Sequence, residues 1–197
     1  RVLKGDFGES LGQKRPVRTI LASRIGATLQ LALGAWIFAI LVGVPIGVLA
    51  AVKRATIFDY IGRFFAILGL AAPSFWVGIM LIFAFAVTWA WLPAGTRGEG
   101  LNIKHYILPS VTLGWAAAAG IMRLTRSAML EILDSEFIKF ARSKGVNEWS
   151  VVWKHALKNS LIPPLTSALL ILSHFLSGAL VVETVFSWPG VGWVIMG

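Results

Sequence analysis

Four long stretches of this chain carry no Asp, Glu, Lys or Arg: Ile25 to Val52, Phe64 to Thr96, Tyr106 to Met122 and Asn159 to Val182. They run 28, 33, 17 and 24 residues. A helix crossing a hydrocarbon core of about 30 Å needs roughly 20 apolar residues, with a working range of about 17–25. A charge near the bilayer centre costs about 2.5–3.5 kcal/mol on insertion scales, so charge-free runs of this length are informative. The pattern predicts an all-α, polytopic transmembrane helical bundle with four full spans and the start of a fifth after Gly192. Residues 1–24 form a segment leading into the membrane, and residues 25–197 form the membrane domain. Gly34, Gly43, Pro45 and Gly47 fall inside the first run, and Gly69, Pro73 and Gly78 inside the second. Membrane helices tolerate these residues because neighbours re-satisfy freed backbone groups and glycines permit close approach. A kink at Pro45 or Pro73 is expected, and Gly43-x-x-x-Gly47 is a small-xxx-small pattern, weak evidence by itself for a specific contact.

Composition sharpens the class. Of 197 residues 57% are apolar and only 14% charged, and the formal net charge is +9; the mean hydropathy is +0.77. An ordinary soluble domain carries roughly 25% charged residues, so a soluble globular enzyme, a disordered tail and a secreted scaffold are excluded. With no cysteine there is no disulfide, thiolate metal site or Cys nucleophile. The excess of Lys and Arg points to cytoplasmic loops and anionic headgroups rather than to nucleic acid. The connection after the first span carries Lys53, Arg54 and Arg63; the connection after the third carries Arg123, Arg126, Lys139, Arg142, Lys144, Lys154 and Lys158. Strict alternation places these ten on one side, against Arg97 and Lys104 on the other. The positive-inside rule makes the ten-residue side cytoplasmic. Residues 1–24 then lie outside the cytoplasm and bring six more basic residues with them, which narrows the margin. The chain opens without Met and stops inside an apolar run, and reads as an interior piece of a longer protein.

The cytoplasmic loop 123–158 is the most informative stretch. Asp134 or Ser135 can cap a helix whose first turn holds Glu136, where the helix dipole favours an anion. Phe137, Phe140 and Ala141 share one face at i, i+3, i+4 spacing. Gly145 is placed to end this helix and Asn147 to cap a second, with Val151, Val152, Trp153 and Ala156, running to Pro163 and Pro164. The spacing alone leaves three readings: a DNA-binding hairpin, which tethering between two spans disfavours; an interfacial helix lying on lipid; and a docking element for a soluble cytoplasmic subunit.

The strings themselves separate these. Glu136-Phe-Ile-Lys-Phe-Ala-Arg-Ser-Lys-Gly145, followed by Trp153-Lys-His-Ala-Leu-Lys-Asn159 and Leu161-Ile-Pro163, resembles the cytoplasmic loop of ABC importer permeases of the oligopeptide/dipeptide/nickel branch. Gly5-Asp-Phe-Gly-Glu-Ser10 ahead of Pro16-Val17, Pro73-Ser-Phe-Trp-Val-Gly78 and Val181-Val-Glu-Thr-Val-Phe-Ser-Trp-Pro-Gly-Val-Gly192 agree, so the resemblance covers nearly the whole chain in order. Against the general importer motif (Glu-Ala-Ala, three residues, Gly, nine residues, Ile-x-Leu-Pro) only Ala141, Gly145 and Leu157 match; Lys139, Phe140, His155 and Lys158 follow the peptide-branch variant. The resemblance implies a type I importer permease fold in the inner membrane of a bacterium or archaeon. It implies a coupling helix that meets the ATPase subunit through Glu136, Phe137, Phe140, Ala141, Lys144, Gly145 and Val146. It implies a periplasmic gate region around Glu183, Phe186, Pro189 and Gly190. The implied partners are a second permease, expected as a heterodimer, two cytoplasmic ATPases carrying ATP and Mg, and an extracytoplasmic substrate-binding protein. Di- or oligopeptides are the implied substrates, with glutathione and nickel chelates as alternatives.

No Gly-x-x-x-x-Gly-Lys-Ser/Thr string is present, so this chain has no P-loop and transport energy must come from another chain. No catalytic residue, metal site or cofactor is expected here. His105, His155 and His174 form no ligand pair at helical spacing. His174, with Ser74, Ser173 and Ser177, is a pathway candidate, although an interhelical hydrogen bond accounts for a lone His in a span; Gln30, Thr112 and Ser167 are further polar positions. A Ser74–His174 protease lacks any supporting motif. Trp89, Trp91, Trp188 and Trp193 near span ends read as an aromatic belt. A secondary transporter and a membrane scaffold are the rivals from other classes.

Overall fold

The structure is a computed structural model describing residues 16–98 and 102–192, the side chains of Leu21, Ser177 and Gly178 excepted. Among the described residues all regular structure is helical. Two helices are long and apolar enough to cross a membrane alone: α1, Val17–Val52, and α4, Ile103–Leu133. At 1.5 Å per residue their 36 and 31 residues extend about 54 and 46 Å, more than a hydrocarbon core requires. Two further runs reach span length only as bent pairs. One joins α2, Ile57–Ala71, to α3, Ser74–Thr88. The other joins α6, Glu148–Ser160, to α7, Ile162–Gly178, across a 50° bend. Short helices α5, Glu136–Ser143, and α8, Leu180–Val185, complete the order.

With each bent pair counted as one span, the described residues hold up to four spans, as expected. The 64–96 run is not one helix: Ala72 leaves the helical region (φ −78, ψ 124), because a following proline clashes with a residue held in α conformation. Pro45, by contrast, lies inside an unbroken helix. Pro163 and Pro164 do not end a helix but sit in the first turn of α7, where a proline loses no intrahelical bond. Within the 123–158 connection α4 continues to Leu133 before the hairpin begins. The expected fifth span, after Gly192, lies outside the described residues.

The chain divides into two compact units. One comprises the chain up to Ala35, Ser74–Leu113 and the chain from His174. Its core is Ala27 and Leu31 of α1, Leu108 of α4, and Ala179, Val182, Phe186 and Trp188. Trp188 is fully buried, donates its indole N–H to the Ala27 carbonyl at 3.0 Å and packs edge-to-face on Tyr106. It is therefore a core anchor and not a belt residue as its place near a span end suggests. Trp89 and Trp91 remain exposed and stacked, and Trp193 lies outside the described residues.

The other unit comprises Trp36–Pro73 and Gly114–Ser173. Here the Gly43-x-x-x-Gly47 pattern makes a specific contact. A Cβ at either glycine would stand 2.7 Å from an α4 carbonyl oxygen, Ala118 for Gly43 and Met122 for Gly47. Ala39 joins Ala118, Ile121 and Ala168 of α7 in one core cluster, and Trp36 donates to the Ala168 carbonyl at 2.8 Å. On α2 the buried positions Asp59, Gly62, Ala66 and Gly69 form one face at helical spacing. Gly62 leaves no room for a Cβ beside Met122, nor Gly69 beside Ala119, so α2 seats on α4 along a seam of small residues.

Candidate functional site

The loop between α4 and α7 is a helical hairpin built as its sequence signals direct. Ser135 is the N-cap of α5 by position, with extended dihedrals, although its hydroxyl donates to Ile132 and makes no capping bond. Glu136 occupies the first turn. Gly145 takes φ +76, a left-handed conformation that disfavours any side chain, and the turn closes through Gly145 N–H to Arg142 O at 2.9 Å and Val146 N–H to Ala141 O at 3.3 Å. Asn147 then caps α6 by accepting from the Trp149 N–H at 2.9 Å. Arg142 clamps the arms with two bonds to Glu148, at 3.1 and 2.6 Å. That pairing holds the Glu148 carboxyl below its ordinary range and raises the Arg142 guanidinium.

The hairpin has two apolar faces, and the structure redistributes the residues expected on one of them. Ile138, Val151, Val152 and Ala156 are buried in a single cluster with Val48 and Ala51 of α1 and Met129 of α4, Val146 packs against it, and Ala141 is itself buried. Ala141 therefore belongs to the inner face. Phe137 and Phe140 point outward at 50% and 60% exposure, together with Trp149 at 70% and Trp153 at 39%. Phe137 rests edge-on against the His155 ring, Lys144 lies over Phe140, and Trp149 packs on Trp153. Glu136 pairs with Lys139 at 2.7 Å on the surface. The outer face is thus an exposed aromatic row flanked by charge. Trp149 was not among the expected interface residues, yet its i, i+4 spacing to Trp153 was a usable signal.

Two ion pairs tie this hairpin's base to the first connection. Arg54 meets Asp134 at 3.3 Å, which puts the first and third connections together, as strict alternation of spans requires. Deeper, Asp59 of α2 is 1% exposed and accepts two bonds from Arg126 of α4, at 2.7 and 2.9 Å. Arg63 approaches the same carboxylate at 3.4 Å and the Ala55 N–H donates to it at 3.1 Å. This pair was not anticipated from the sequence.

The four gate candidates come together in the other unit. Glu183 is fully buried; its carboxylate accepts from Thr28 Oγ1 at 2.7 Å and from the Gly192 N–H at 2.8 Å. Thr28 Oγ1 in turn accepts from the Val191 N–H at 3.0 Å. The carboxylate occupies the space a Cβ on Gly190 would need, which explains glycine there. Phe186 is buried in the core, Pro189 is half-buried, and the Phe186 carbonyl accepts from the Thr96 N–H at 2.8 Å. The Trp188–Gly192 turn is thus pinned to α1. Beside it Gln30 accepts from Arg97 at 2.6 Å and from Tyr106 at 3.0 Å.

Ser74 begins α3 and is half-buried, and Ser173 and His174 are exposed on α7 with the Ser173 hydroxyl donating to Leu170 O. The Ser177 side chain lies outside the described residues. Thr112 is buried and bonds back to Leu108 O, and Ser167 is half-buried. Among the described residues no group of three or more His, Asp or Glu could hold a metal ion.

Among the described residues, membrane-length helices, a seam of small residues and a helical hairpin slung between two helices make the architecture of a multi-pass membrane protein. The chain belongs to the binding-protein-dependent transport system inner membrane component family, whose model matches residues 43–197. It is 44% identical over 191 residues to the glutathione transport system permease protein GsiC of Salmonella typhi, covering 97% of this chain and 61% of that protein. It is 40% identical over 223 residues to the dipeptide transport system permease protein DppB of Escherichia coli K12, covering 98% and 66%. The chain thus spans about three-fifths to two-thirds of these relatives' length. In fold it resembles a chain of the inward-facing MetNI methionine ABC transporter, with a TM-score of 0.70 at 20% identity over 90% of this chain and 79% of that one.

Proposed function

We propose that this chain is a permease subunit of an ATP-driven importer for small peptides, with glutathione and dipeptides as the candidate substrates. The two named relatives, described as a glutathione and a dipeptide permease, support that substrate range. In this reading a second permease completes the translocation path, two ATPase subunits supply ATP hydrolysis, and a binding protein delivers substrate. The observation that carries the proposal is the two-faced hairpin. Its inner face is fused to α1 and α4 through Val48, Ala51 and Met129, while its outer face leaves Phe137, Phe140, Trp149 and Trp153 uncovered. A soluble partner gripping the aromatic row would move the hairpin, and the inner cluster would pass that motion to α1 and α4. Aromatic anchors of this kind carry most of the energy of protein interfaces.

The test uses the full-length permease assembled with its partners in proteoliposomes. Phe140→Ala with Trp149→Ala removes two exposed anchors without touching the core. Uptake should fall at least ten-fold while the permease still reaches the membrane, and ATP hydrolysis should no longer respond to substrate-loaded binding protein. Unchanged uptake would refute the assignment of this face. Ala141→Glu is unsuitable, because the structure places Ala141 in the core and a carboxylate there would unfold the hairpin.

A further inference from the structure

We propose that the seam between α2 and α4 binds an anionic phospholipid, with the phosphate held by Arg63, Arg123 and Arg126 and an acyl chain running along Ile67 and Leu70. The groove there has a volume of about 320 Å³ and is lined by Arg63, Arg123, Arg126 and Ser127 at one end and by Ala66, Ile67, Leu70 and Met122 at the other. Arg63 and Arg126 both approach the same oxygen of Asp59, at 3.4 and 2.7 Å. One carboxylate thus gathers two guanidiniums, and Arg123 stands one turn from Arg126 on α4, on the same face. The lining carries three positive charges against the single negative charge of Asp59, which leaves the groove cationic.

Depth and shape argue for a lipid as the occupant. Arg63 lies six residues into α2 from its start at Ile57, about 9 Å along the axis, and Arg126 lies eight residues before Asp134, about 12 Å. The starting points, Ile57 and Asp134, lie beside the Arg54–Asp134 pair that marks the loop side, and a guanidinium about 9–12 Å from that end is suited to a lipid headgroup. Ile67 and Leu70 lie one to two turns deeper on α2, at 67% and 50% exposure. A second, wholly apolar groove of about 130 Å³ shares Ala66 and Met122 with the first and continues past Phe65, Phe38 and Val42. A cationic head joined to an apolar trough fits an amphiphile, and basic pockets between helices on the cytoplasmic side suit anionic headgroups.

Native mass spectrometry of the full-length permease in its purified assembly, drawn from nanodiscs of phosphatidylcholine mixed with phosphatidylglycerol, tests this. Phosphatidylglycerol should be retained over phosphatidylcholine. Arg123→Gln should lower that retention about five-fold and Arg63→Gln with Arg123→Gln about twenty-five-fold, at roughly one such factor per surface guanidinium. Lys104→Gln, distant in sequence and outside the groove, should leave it unchanged. A photoactivatable phosphatidylglycerol should label peptides of α2 and α4 in the unaltered protein, which keeps the idea testable should the variants misfold. Equal retention of both lipids, or retention unaffected by the arginine variants, would overturn the proposal. So would displacement by millimolar inorganic phosphate, which would mark a plain anion site. A cross-link from position 123 to the second permease would also overturn it, because the groove would then be a protein interface.

Discussion

Replacing Asp59 tests the energetic logic of the membrane part most directly. The carboxylate is 1% exposed, takes two bonds from Arg126 at 2.7 and 2.9 Å, and accepts from the Ala55 N–H at 3.1 Å. Removing one partner of a buried ion pair costs about 3–5 kcal/mol, because the other charge is left without compensation. Arg126 keeps 21% exposure and can draw some solvent or headgroup to itself, which puts Asp59→Ala near the lower end, about 3 kcal/mol. Asp59→Asn should lose somewhat less, about 2 kcal/mol, since its carbonyl still accepts one guanidinium bond while its NH2 faces donors. Thermal unfolding of the detergent-solubilised protein would read this as a loss of roughly 5–10 °C, at about 2–4 °C per kcal/mol for a chain of this size. The decisive version is a double-mutant cycle with Arg126→Gln, a neutral near-isostere. If the pair is coupled, the double variant is less destabilised than the sum of the two singles by at least about 1 kcal/mol. Additive losses, or an Asp59→Asn protein as stable as the parent, would show that the interaction contributes nothing beyond packing.

Three smaller predictions follow from the same geometry. Gly47→Val should push α1 off the Met122 carbonyl and destabilise the protein by about 1–3 kcal/mol, whereas Gly26→Ala, which meets nothing within 4 Å, should be neutral in the same melt. Trp188→Phe loses the bond to Ala27 O and should cost about 1–2 kcal/mol, read by thermal unfolding, with Trp188→Ala costing more than twice that. The lowered Glu148 pKa means its pairing with Arg142 stabilises the fold above the unfolded carboxylate value and is lost as pH falls through the folded value. With both groups substantially exposed the effect is under about 1 kcal/mol, and Glu148→Gln should flatten that part of the stability–pH curve below pH 5.

Charge-free runs located the apolar segments because no sequence context makes an unpaired charge cheap in lipid, and this physics does not depend on tertiary structure. Local chemistry was legible for the same reason: Gly145 and Asn147 act through their own backbone neighbourhood, and both do what their residue types dictate. The Pro73 break was foreseen as a kink, but a proline only disfavours the helical conformation at the preceding residue. Whether the helix reforms around it depends on neighbours, as Pro45 inside α1 shows. The extension of α4 to Leu133 was hidden because Arg123, Arg126 and Glu131 made the segment look like loop. A helix carries charge beyond its apolar stretch without ending, as α4 does.

What sequence spacing could not supply was a direction. Phe137, Phe140 and Ala141 share a face at i, i+3, i+4, but Ile138 and Ala141 share another at i, i+3, and only the α1 and α4 side chains decide which is covered. The larger aromatics ended outside because Ile138 fills the space beside Val48 and Ala51, and α6 brings its own Val151, Val152 and Ala156 to fill the remainder. The Asp59–Arg126 pair was invisible for a related reason. Its members are 67 positions apart, and each sits near the edge of a charge-free run, where a solvated loop residue and a buried half of an ion pair look alike. One sequence feature does separate them. Asp59, Gly62, Ala66 and Gly69 fall on a single helical face, and an acid in line with three small residues is already in a helix seam, where a buried charge requires a partner.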